Sequence, residues 1–147
     1  MAKTYGQAAC PISRTLEVIG ERWTILIIRD LMLEGPRRFQ DLQQSLTGVA
    51  PTVLSDRLKT LEEHGIVRRE FYSEHPPRAS YALTARGQEL APVLRTLAVW
   101  GAKHAGGQVR VVHTPCGHAV ETQAYCPHCD TAVTPEAITV KRPRRAS

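Results

Sequence analysis

The chain has 147 residues, and 19 Lys and Arg against 14 Asp and Glu give it a net charge of +5. This length suits one main domain with a small additional module. A hydrophobic share of 42% excludes the class of disordered, weakly hydrophobic proteins. The modest positive charge favours a polyanionic partner without requiring one.

The first residues contain no apolar run that could serve as a signal peptide, and the stretch Ile25–Ile28 is too short to cross a bilayer. We therefore expect a cytoplasmic protein with no membrane partner. Thiols stay reduced in that compartment, so the four cysteines are expected to act as metal ligands or redox groups rather than as two disulfides.

Four helices are predicted in the first half of the chain. Apolar residues recur at spacings of three and four between Leu16 and Ile27, which is typical of helices that turn one face to a core. Proline in the first turn of a helix and glycine just past its end mark several of the boundaries. The predicted helices cover residues 11–19, 21–33, 39–46 and 51–64.

The third and fourth helices are joined by the short turn Thr47–Ala50, so together they form a helix-turn-helix. Leu54, Leu58 and Leu61 lie at i, i+4 and i+7 of the fourth helix, which predicts that this face packs inward. The polar residues then point away from the core: Thr52, Ser55, Asp56 and Lys59.

Two β-prone runs follow, residues 66–72 and 80–83, and the segment Ser73–Ala79 between them is predicted as a long, proline-stiffened loop, the candidate wing. Thr84 is a suitable N-cap for a final long helix, in which Pro92 implies a kink or a frayed first turn. The apolar face of this helix either covers the domain's own core or, as we favour, mediates self-association. It comprises Leu90, Leu94, Leu97, Ala98 and Gly101, widened by Val93 and Trp100.

A resemblance to a known family rests on five pieces of sequence in this order. They are Cys10–Asp30, Gly35–Leu42, Val53–Val67, Pro76–Thr84 and Gly87. Together they resemble the HxlR family of bacterial winged-helix regulators over about residues 8–102. The resemblance implies a homodimer, formed through the first and last helices, that binds an operator in double-stranded DNA as a repressor or activator.

A helix of about fourteen residues fits the major groove, where side chains of its N-terminal half meet base edges. Lys59 and Arg38 are expected on phosphates, and Arg78 of the wing in a neighbouring minor groove or on the backbone. Asp56 could accept a hydrogen bond from cytosine or orient Arg57. The ordinary alternative for each of these side chains is a solvated surface position. The candidate base contacts are Thr52, Ser55, Asp56 and Arg57.

After Gly106-Gly107 the helical pattern gives way to short stretches that contain Cys and His. His113 with Cys116, and Cys126 with Cys129, form two turns that each place two soft ligands three residues apart. Such turns can hold one Zn²⁺ per chain tetrahedrally, and three cysteines with one histidine make a closed site, hence a structural one.

The symmetry of the two turns favours His113 as the fourth ligand, with His118 as its alternative. The alternative to a metal site is three free cysteines. The segment resembles a small zinc ribbon with short strands at residues 109–112 and 119–125. A module this small needs a metal or another staple to fold.

The predicted fold class is therefore mainly α with a small β-hairpin, a winged helix-turn-helix, followed by a small β module of zinc-ribbon type. Residues 1–106 form the DNA-binding and dimerisation domain, and residues 107–140 form the ribbon-like module. The basic tail, residues 141–147, is expected to be disordered.

Cys10 lies at the positive end of a helix dipole, near Lys3 and Arg14, where a reactive thiolate is favoured. Some regulators of the HxlR type sense oxidants or electrophiles through a cysteine near this position, so the resemblance implies that Cys10 is a redox-sensing candidate. The alternative is a small hydrophobic residue in the dimer seam. An oxidised Cys10 would need a thiol from the other subunit or a small thiol to form a disulfide.

Enzymatic function is not expected, because the sequence contains no phosphate loop, nucleophile elbow or metalloprotease helix. The alternative to a DNA-binding regulator is an interaction module, in which the ribbon binds a protein or RNA partner and the winged helix is secondary.

Overall fold

The computed structural model describes residues 10–141, and the chain divides into two units with the boundary after Leu94. The domain boundary placed near residue 106 from the sequence stays a prediction. The expectations for the first nine residues and for the end of the basic tail, residues 142–147, fall outside the described residues. Within residues 10–141, no helix has the length and apolar character needed to cross a bilayer.

The described part of the first unit, residues 10–94, contains five complete helices and a three-stranded sheet, and a sixth helix begins in it. All four helices predicted in the first half of the chain are confirmed to within one residue at each end. The helices are α1 Pro11–Ile19, α2 Arg22–Glu34, α3 Phe39–Ser45, α4 Pro51–Glu63, α5 Ala85–Gln88 and α6 Ala91–His104. The strands are β1 Arg37–Arg38, β2 Val67–Glu74 and β3 Pro77–Leu83.

Helix α4 has defined ends. Pro51 opens it, where a missing N–H costs no hydrogen bond. At the other end Gly65 adopts a φ of +66°, a left-handed conformation that glycine accepts without steric cost. The N–H of Ile66 donates to the carbonyl of Leu61 at 2.9 Å and that of Gly65 to Glu62 at 2.9 Å. These are the two hydrogen bonds of a Schellman motif, so the helix ends sharply before the first residue of the wing.

The core of the first unit lies where α2 packs on α4 and on the sheet. Leu54, Leu58 and Leu61 of α4 are fully buried, as their spacing predicted. They meet Ile27, Ile28 and Leu31 of α2 in one cluster, to which Leu42 of α3 also belongs. The three fully buried residues of α4 are therefore all leucines, Val53 packs partly buried against the same core, and the exposed side of the helix carries polar residues.

The sheet has the order β1-β3-β2 and is antiparallel throughout. The long loop predicted over Ser73–Ala79 is wrong, because the strands continue to Glu74 and resume at Pro77, leaving His75 and Pro76 as the turn. Pro77 is tolerated because it is the first residue of its strand. A shift of register between Phe71 and Ser73 leaves Tyr72 without a paired residue opposite it.

The long helix predicted after Thr84 is interrupted and forms α5 and α6. The side chain of Thr84 accepts from the N–H of Gly87 at 3.1 Å, so its predicted role as N-cap is confirmed. Proline inside a helix removes one backbone hydrogen bond, and its ring clashes with the carbonyl four residues before it. Pro92 consequently lies in the first turn of a new helix, which accounts for the irregularity expected there.

The second unit contains the remainder of α6, a small hairpin and a short 3₁₀ turn, Pro135–Ala137. The hairpin pairs β4 Ala124–Cys126 with β5 Thr131–Val133. The strands predicted at 109–112 and 119–125 are wrong in extent. The first reduces to a single bridge between Val112 and Ala119, and of the second only Ala124 and Tyr125 lie in a strand, β4. The loop between Cys126 and Thr131 is shorter than the loop between Val112 and Ala119. Closing a shorter loop costs less conformational entropy, which favours the hairpin at Cys126 and Thr131.

Gly87 is expected to tolerate no side chain. A Cβ there would lie 2.3 Å from the carbonyl oxygen of Ile66 and 3.1 Å from Cδ2 of Leu83. That carbonyl accepts the N–H of Thr84 at 3.0 Å, so it cannot move without loss of a hydrogen bond. We expect Gly87→Ala to lower the free energy of unfolding by about 1–3 kcal/mol in urea titrations. Gln88→Ala, an exposed change on the same helix, should stay within about 0.5 kcal/mol of wild type. Equal stabilities of the two variants would contradict the clash.

Candidate nucleic-acid interface and cysteine turns

The helix-turn-helix is held by its turn as well as by its helices. Leu46 and Val49, at the two ends of the turn, are buried, and the N–H of Val49 donates to the carbonyl of Leu46 at 3.0 Å. Between them Gly48 has a φ of +92°, which a side chain would strain. The angle between α3 and α4 is therefore set by packed residues on both sides of the turn.

The outer face of α4 carries the residues predicted to meet DNA bases. Thr52, Ser55 and Asp56 are exposed and lie in the N-terminal half of the helix, and Arg57 is half-buried beside them. Within residues 10–141, Arg57 forms no ion pair, not even with the adjacent Asp56. The structure thus brings these four side chains to one exposed half of one helix.

The basic residues around this helix fall into two groups. One group is neutralised by nearby carboxylates: Arg37 with Glu34 at 2.7 Å, Arg68 with Glu70 at 2.6 Å, and Arg69 with Glu62 at 2.9 Å. Lys59 approaches Glu63 only to 4.0 Å. In the described part of the chain, Arg38, Arg57 and Arg78 have no acidic partner. Uncompensated positive charge therefore lies on the helix-turn-helix and the wing.

Arg38 is placed by two contacts. Its backbone N–H donates to a carboxylate oxygen of Asp41 at 3.1 Å, at the start of α3. Its guanidinium carbon lies 5.1 Å from the ring centroid of Tyr72, within the range of a cation–π interaction. The sequence did not predict the contact of Tyr72 with Arg38. Successive residues of a strand point to opposite faces, so the pair Phe71 and Tyr72 already indicated that one aromatic ring turns away from the core.

Arg78 lies on a paired strand and not in a loop. It stands opposite Ser73, next to the turn of the hairpin, and is exposed. Backbone pairing therefore holds this arginine near the tip of the wing at a definite position.

Apolar side chains remain exposed on the first and last helices. The apolar face predicted for the last helix is divided, because Leu90 and Leu94 pack against the core. Val93, Leu97 and Trp100, at i, i+4 and i+7 of α6, remain about half exposed. On α1, Ile12 is 71% exposed and Leu16 is 52% exposed.

Cys10 is the N-cap of α1, in extended backbone, and its carbonyl accepts the N–H of Arg14 at 3.1 Å. The residue is partly buried and its thiol is free. Its predicted position at the helix N-terminus is confirmed.

The first cysteine turn brings His113 and Cys116 together, with 3.2 Å between Nδ1 and Sγ. The N–H of His113 donates to the carbonyl of His118 at 2.9 Å. The carbonyl of His113 accepts from the N–H groups of Cys116 and Gly117, at 3.1 and 2.7 Å. Gly117 has a φ of +70°.

The second cysteine turn joins β4 to β5. Backbone N–H groups of Cys129 and His128 and the thiol of Cys129 all hydrogen-bond to Cys126, and these contacts lower the pKa of the Cys126 thiol. Asp130 follows Cys129 with a φ of +53°, and the hydroxyl of Tyr125 donates to its carboxylate.

The two turns are separate in the structure. Within residues 10–141, no three His, Cys, Asp or Glu side chains form a group that could hold a metal ion. His113 thus meets Cys116, and Cys126 meets Cys129, but the two pairs do not meet, and the zinc site stays a prediction.

The chain is similar to known regulators over most of its length. A model of the HxlR-like helix-turn-helix family matches residues 18–108. An uncharacterized HTH-type transcriptional regulator of Mycobacterium tuberculosis, Rv3095, is 36% identical over 132 residues, which is 87% of this chain and 82% of that protein.

Solved structures of transcriptional regulators are also similar to this chain. PA1607, a candidate transcription factor, is similar with a TM-score of 0.76 at 34% identity, covering 93% of this chain and 97% of that one. The redox regulator HypR in its reduced form is similar with a TM-score of 0.61 at 32% identity, covering 65% of this chain and 94% of that one. The alignments with Rv3095 and PA1607 are too long to fit within residues 1–106, so both extend into the segment of the cysteine turns.

Proposed function

Because the chain belongs to the HxlR-like helix-turn-helix family of transcriptional regulators, and not to an enzyme family, we propose that it binds a specific operator as a homodimer in the cytoplasm. One observation carries this proposal. Helix α4 buries its leucine face completely, while its outer N-terminal half presents polar side chains and an arginine without an acidic partner in the described chain.

Helix α4 enters the major groove, with Thr52, Ser55, Asp56 and Arg57 towards the base edges. Arg57 has a free guanidinium that can donate two hydrogen bonds to one guanine. Arg38 and Lys59 contact phosphates. The ion pair of Lys59 with Glu63 does not prevent this, because an exposed pair at 4.0 Å is weak and screened by salt.

The wing adds a second contact through Arg78. Because strand pairing opposite Ser73 holds this residue, its guanidinium reaches the DNA backbone or a narrow minor groove with little further ordering of the chain.

Two copies associate through the exposed apolar residues of α1 and α6. The exposed apolar residues are Val93, Leu97 and Trp100 on α6 and Ile12 and Leu16 on α1. Together they leave more apolar surface to water than a monomeric helix usually does. Two-fold symmetry then places the two α4 helices about 34–36 Å apart, one turn of a pseudo-palindromic operator.

Cys10 makes the regulator responsive to oxidants. A structure similar to this chain is named a redox regulator, and Cys10 is the single cysteine of residues 1–106. Its thiolate attacks a hydroperoxide to give a sulfenic acid and releases the alcohol or water. The sulfenic acid then condenses with a thiol, from Cys10 of the second subunit or from a small molecule, to give a disulfide and water.

Loss of an unpaired arginine is expected to weaken DNA binding. With an operator selected from random oligonucleotides, Arg57→Ala should lower affinity by about 5–150-fold and relax the preference at one base pair. Arg78→Ala should weaken binding to all sequences and reduce the salt dependence by about one counterion. Arg68→Ala, whose arginine is neutralised by Glu70, is the matched control and should bind nearly as wild type. Wild-type affinity of both the Arg57 and Arg78 variants would refute this docking.

A charge within the stripe on α6 is expected to separate the dimer. Leu97→Glu places a carboxylate in the proposed seam, and analytical ultracentrifugation at micromolar concentration should then report a monomer. Val140→Glu introduces the same charge at an exposed apolar residue elsewhere and should leave the dimer intact. A wild-type monomer, or a dimeric Leu97→Glu, would exclude this interface.

Oxidant is expected to release the wild-type protein from its operator, and dithiothreitol should restore binding. Cys10→Ser should bind DNA equally with and without hydroperoxide or hypochlorite, because serine cannot form the sulfenic acid. Gel shifts of reduced and oxidised samples measure this. A Cys10→Ser variant that is released as wild type would remove Cys10 from the response.

A further inference from the structure

We propose that a cavity bounded by α1, the end of α4 and α5 binds a small organic anion, a carboxylate on an apolar body, and that this ligand regulates DNA binding. The regulatory part rests on the proposed function, whereas binding of the ligand does not. The cavity has a volume of about 450 Å³. Protein cavities that hold small molecules are commonly of this size.

The floor of the cavity is apolar. Ile19 of α1 and Ile66, just past the end of α4, are buried and belong to the core of the first unit. Val18 and Leu90 also line the cavity and are partly buried against that core. An apolar group that covers these side chains is itself removed from water, which favours binding in proportion to the area covered. The floor is therefore suited to an aliphatic or aromatic ligand body.

The charged groups that line the cavity carry an excess of positive charge. Arg14 of α1 and Arg86 of α5 bring two guanidinium groups against one carboxylate, that of Glu89. Arg86 and Glu89 stand at i and i+3, a spacing at which helical side chains can meet, yet no ion pair joins them in the described chain. The guanidinium of Arg86, without an acidic partner among residues 10–141, can therefore donate to a ligand carboxylate.

His64 and Thr15 add polar groups whose hydrogen-bonding roles are defined. Nδ1 of His64 lies 2.8 Å from the carbonyl oxygen of Thr60. Because a carbonyl only accepts, Nδ1 carries a hydrogen, and Nε2 is the ring nitrogen left for a ligand. The hydroxyl of Thr15 donates to the carbonyl of Pro11 at 2.9 Å, so its oxygen remains as an acceptor. These two groups would orient the ligand, while Arg86 binds its charge.

The cavity lies where α4 is joined to α5. His64 is the C-cap of α4, and the carbonyl of Ile66 accepts the N–H of Thr84, directly before α5, at 3.0 Å. A Cβ on Gly87 would lie 2.3 Å from that carbonyl oxygen, so α5 packs closely on this segment. A ligand in the cavity contacts α1 and α5 together, and the arrangement of both around the end of α4 then depends on occupancy. Ligand binding is thereby coupled to the placement of α4 on DNA.

Naphthoate and its uncharged analogue naphthamide are suitable probes, and isothermal titration calorimetry of the full-length protein measures their binding without DNA. We expect one naphthoate per chain and an affinity for naphthamide about 10-fold lower or more, because a charge-assisted hydrogen bond is lost. Arg86→Gln should lower the affinity for naphthoate by a similar factor. Arg95→Gln removes an exposed arginine that does not line the cavity, and this control should bind naphthoate as wild type.

A variant that fills the cavity distinguishes it from other apolar surfaces. Thr15→Trp adds a large side chain at an exposed position of the lining and should abolish binding of both probes, with an unchanged helix content in circular dichroism. Unchanged binding in both Arg86→Gln and Thr15→Trp would place the probe elsewhere, such as on the exposed apolar residues of α6, and would overturn the proposal.

The effect on DNA is measured separately by gel shifts. An operator selected with the unliganded protein fits the unliganded arrangement, so saturating naphthoate should lower its affinity by about 5–150-fold. Arg86→Gln should require a correspondingly higher naphthoate concentration for the same effect. Naphthoate binding without a change in operator affinity would overturn the regulatory role, and absence of naphthoate binding would overturn the site. Failure to bind any operator would contradict the proposed function instead, and calorimetry would still decide on the site.

Discussion

The burial of three leucines on α4 determines which face of that helix remains exposed. Leu54, Leu58 and Leu61 are removed from water against α2, and each contributes about 1.5–3 kcal/mol. A roll of α4 by one residue, about 100°, would turn this face out of the core and bring Ser55 and Lys59 inward instead. Core packing therefore decides the orientation of the exposed face of α4. The turn and the wing are attached to the two ends of this helix.

Much of the fold could be predicted because its signals are local. Periodicity gave the helices, and proline and glycine gave their ends, as at Pro51 and Gly65. The errors came where one residue type has two structural meanings. Pro76 and Pro77 suggested a long loop, but proline is also compatible with the first residue of a strand. The irregularity expected at Pro92 is a complete break between α5 and α6.

The candidate site was less predictable, because pairing between distant side chains is not a local property. The sequence contains many arginines around the helix-turn-helix, and only the structure separates Arg69, held by Glu62, from Arg57 and Arg78. The contact of Arg38 with Tyr72 depends on an irregular strand register that no pattern in the sequence encodes. In the C-terminal unit, ligand spacing indicated the two cysteine turns, but it could not show that the turns lie apart within residues 10–141.

Thr84 links the end of α4 to the start of α5. Its hydroxyl donates to the carbonyl of Gly65 at 2.6 Å and accepts from Gly87, while its N–H donates to Ile66. Movement of α5 relative to α4 must break these bonds, at about 0.5–1.5 kcal/mol each, or carry α4 with it. In a dimer joined through α6, the distance between the two α4 helices would therefore depend on the geometry of the dimer interface. A signal received at the proposed seam would then alter the spacing of the two α4 helices, while the side chains of each α4 would keep their places on that helix.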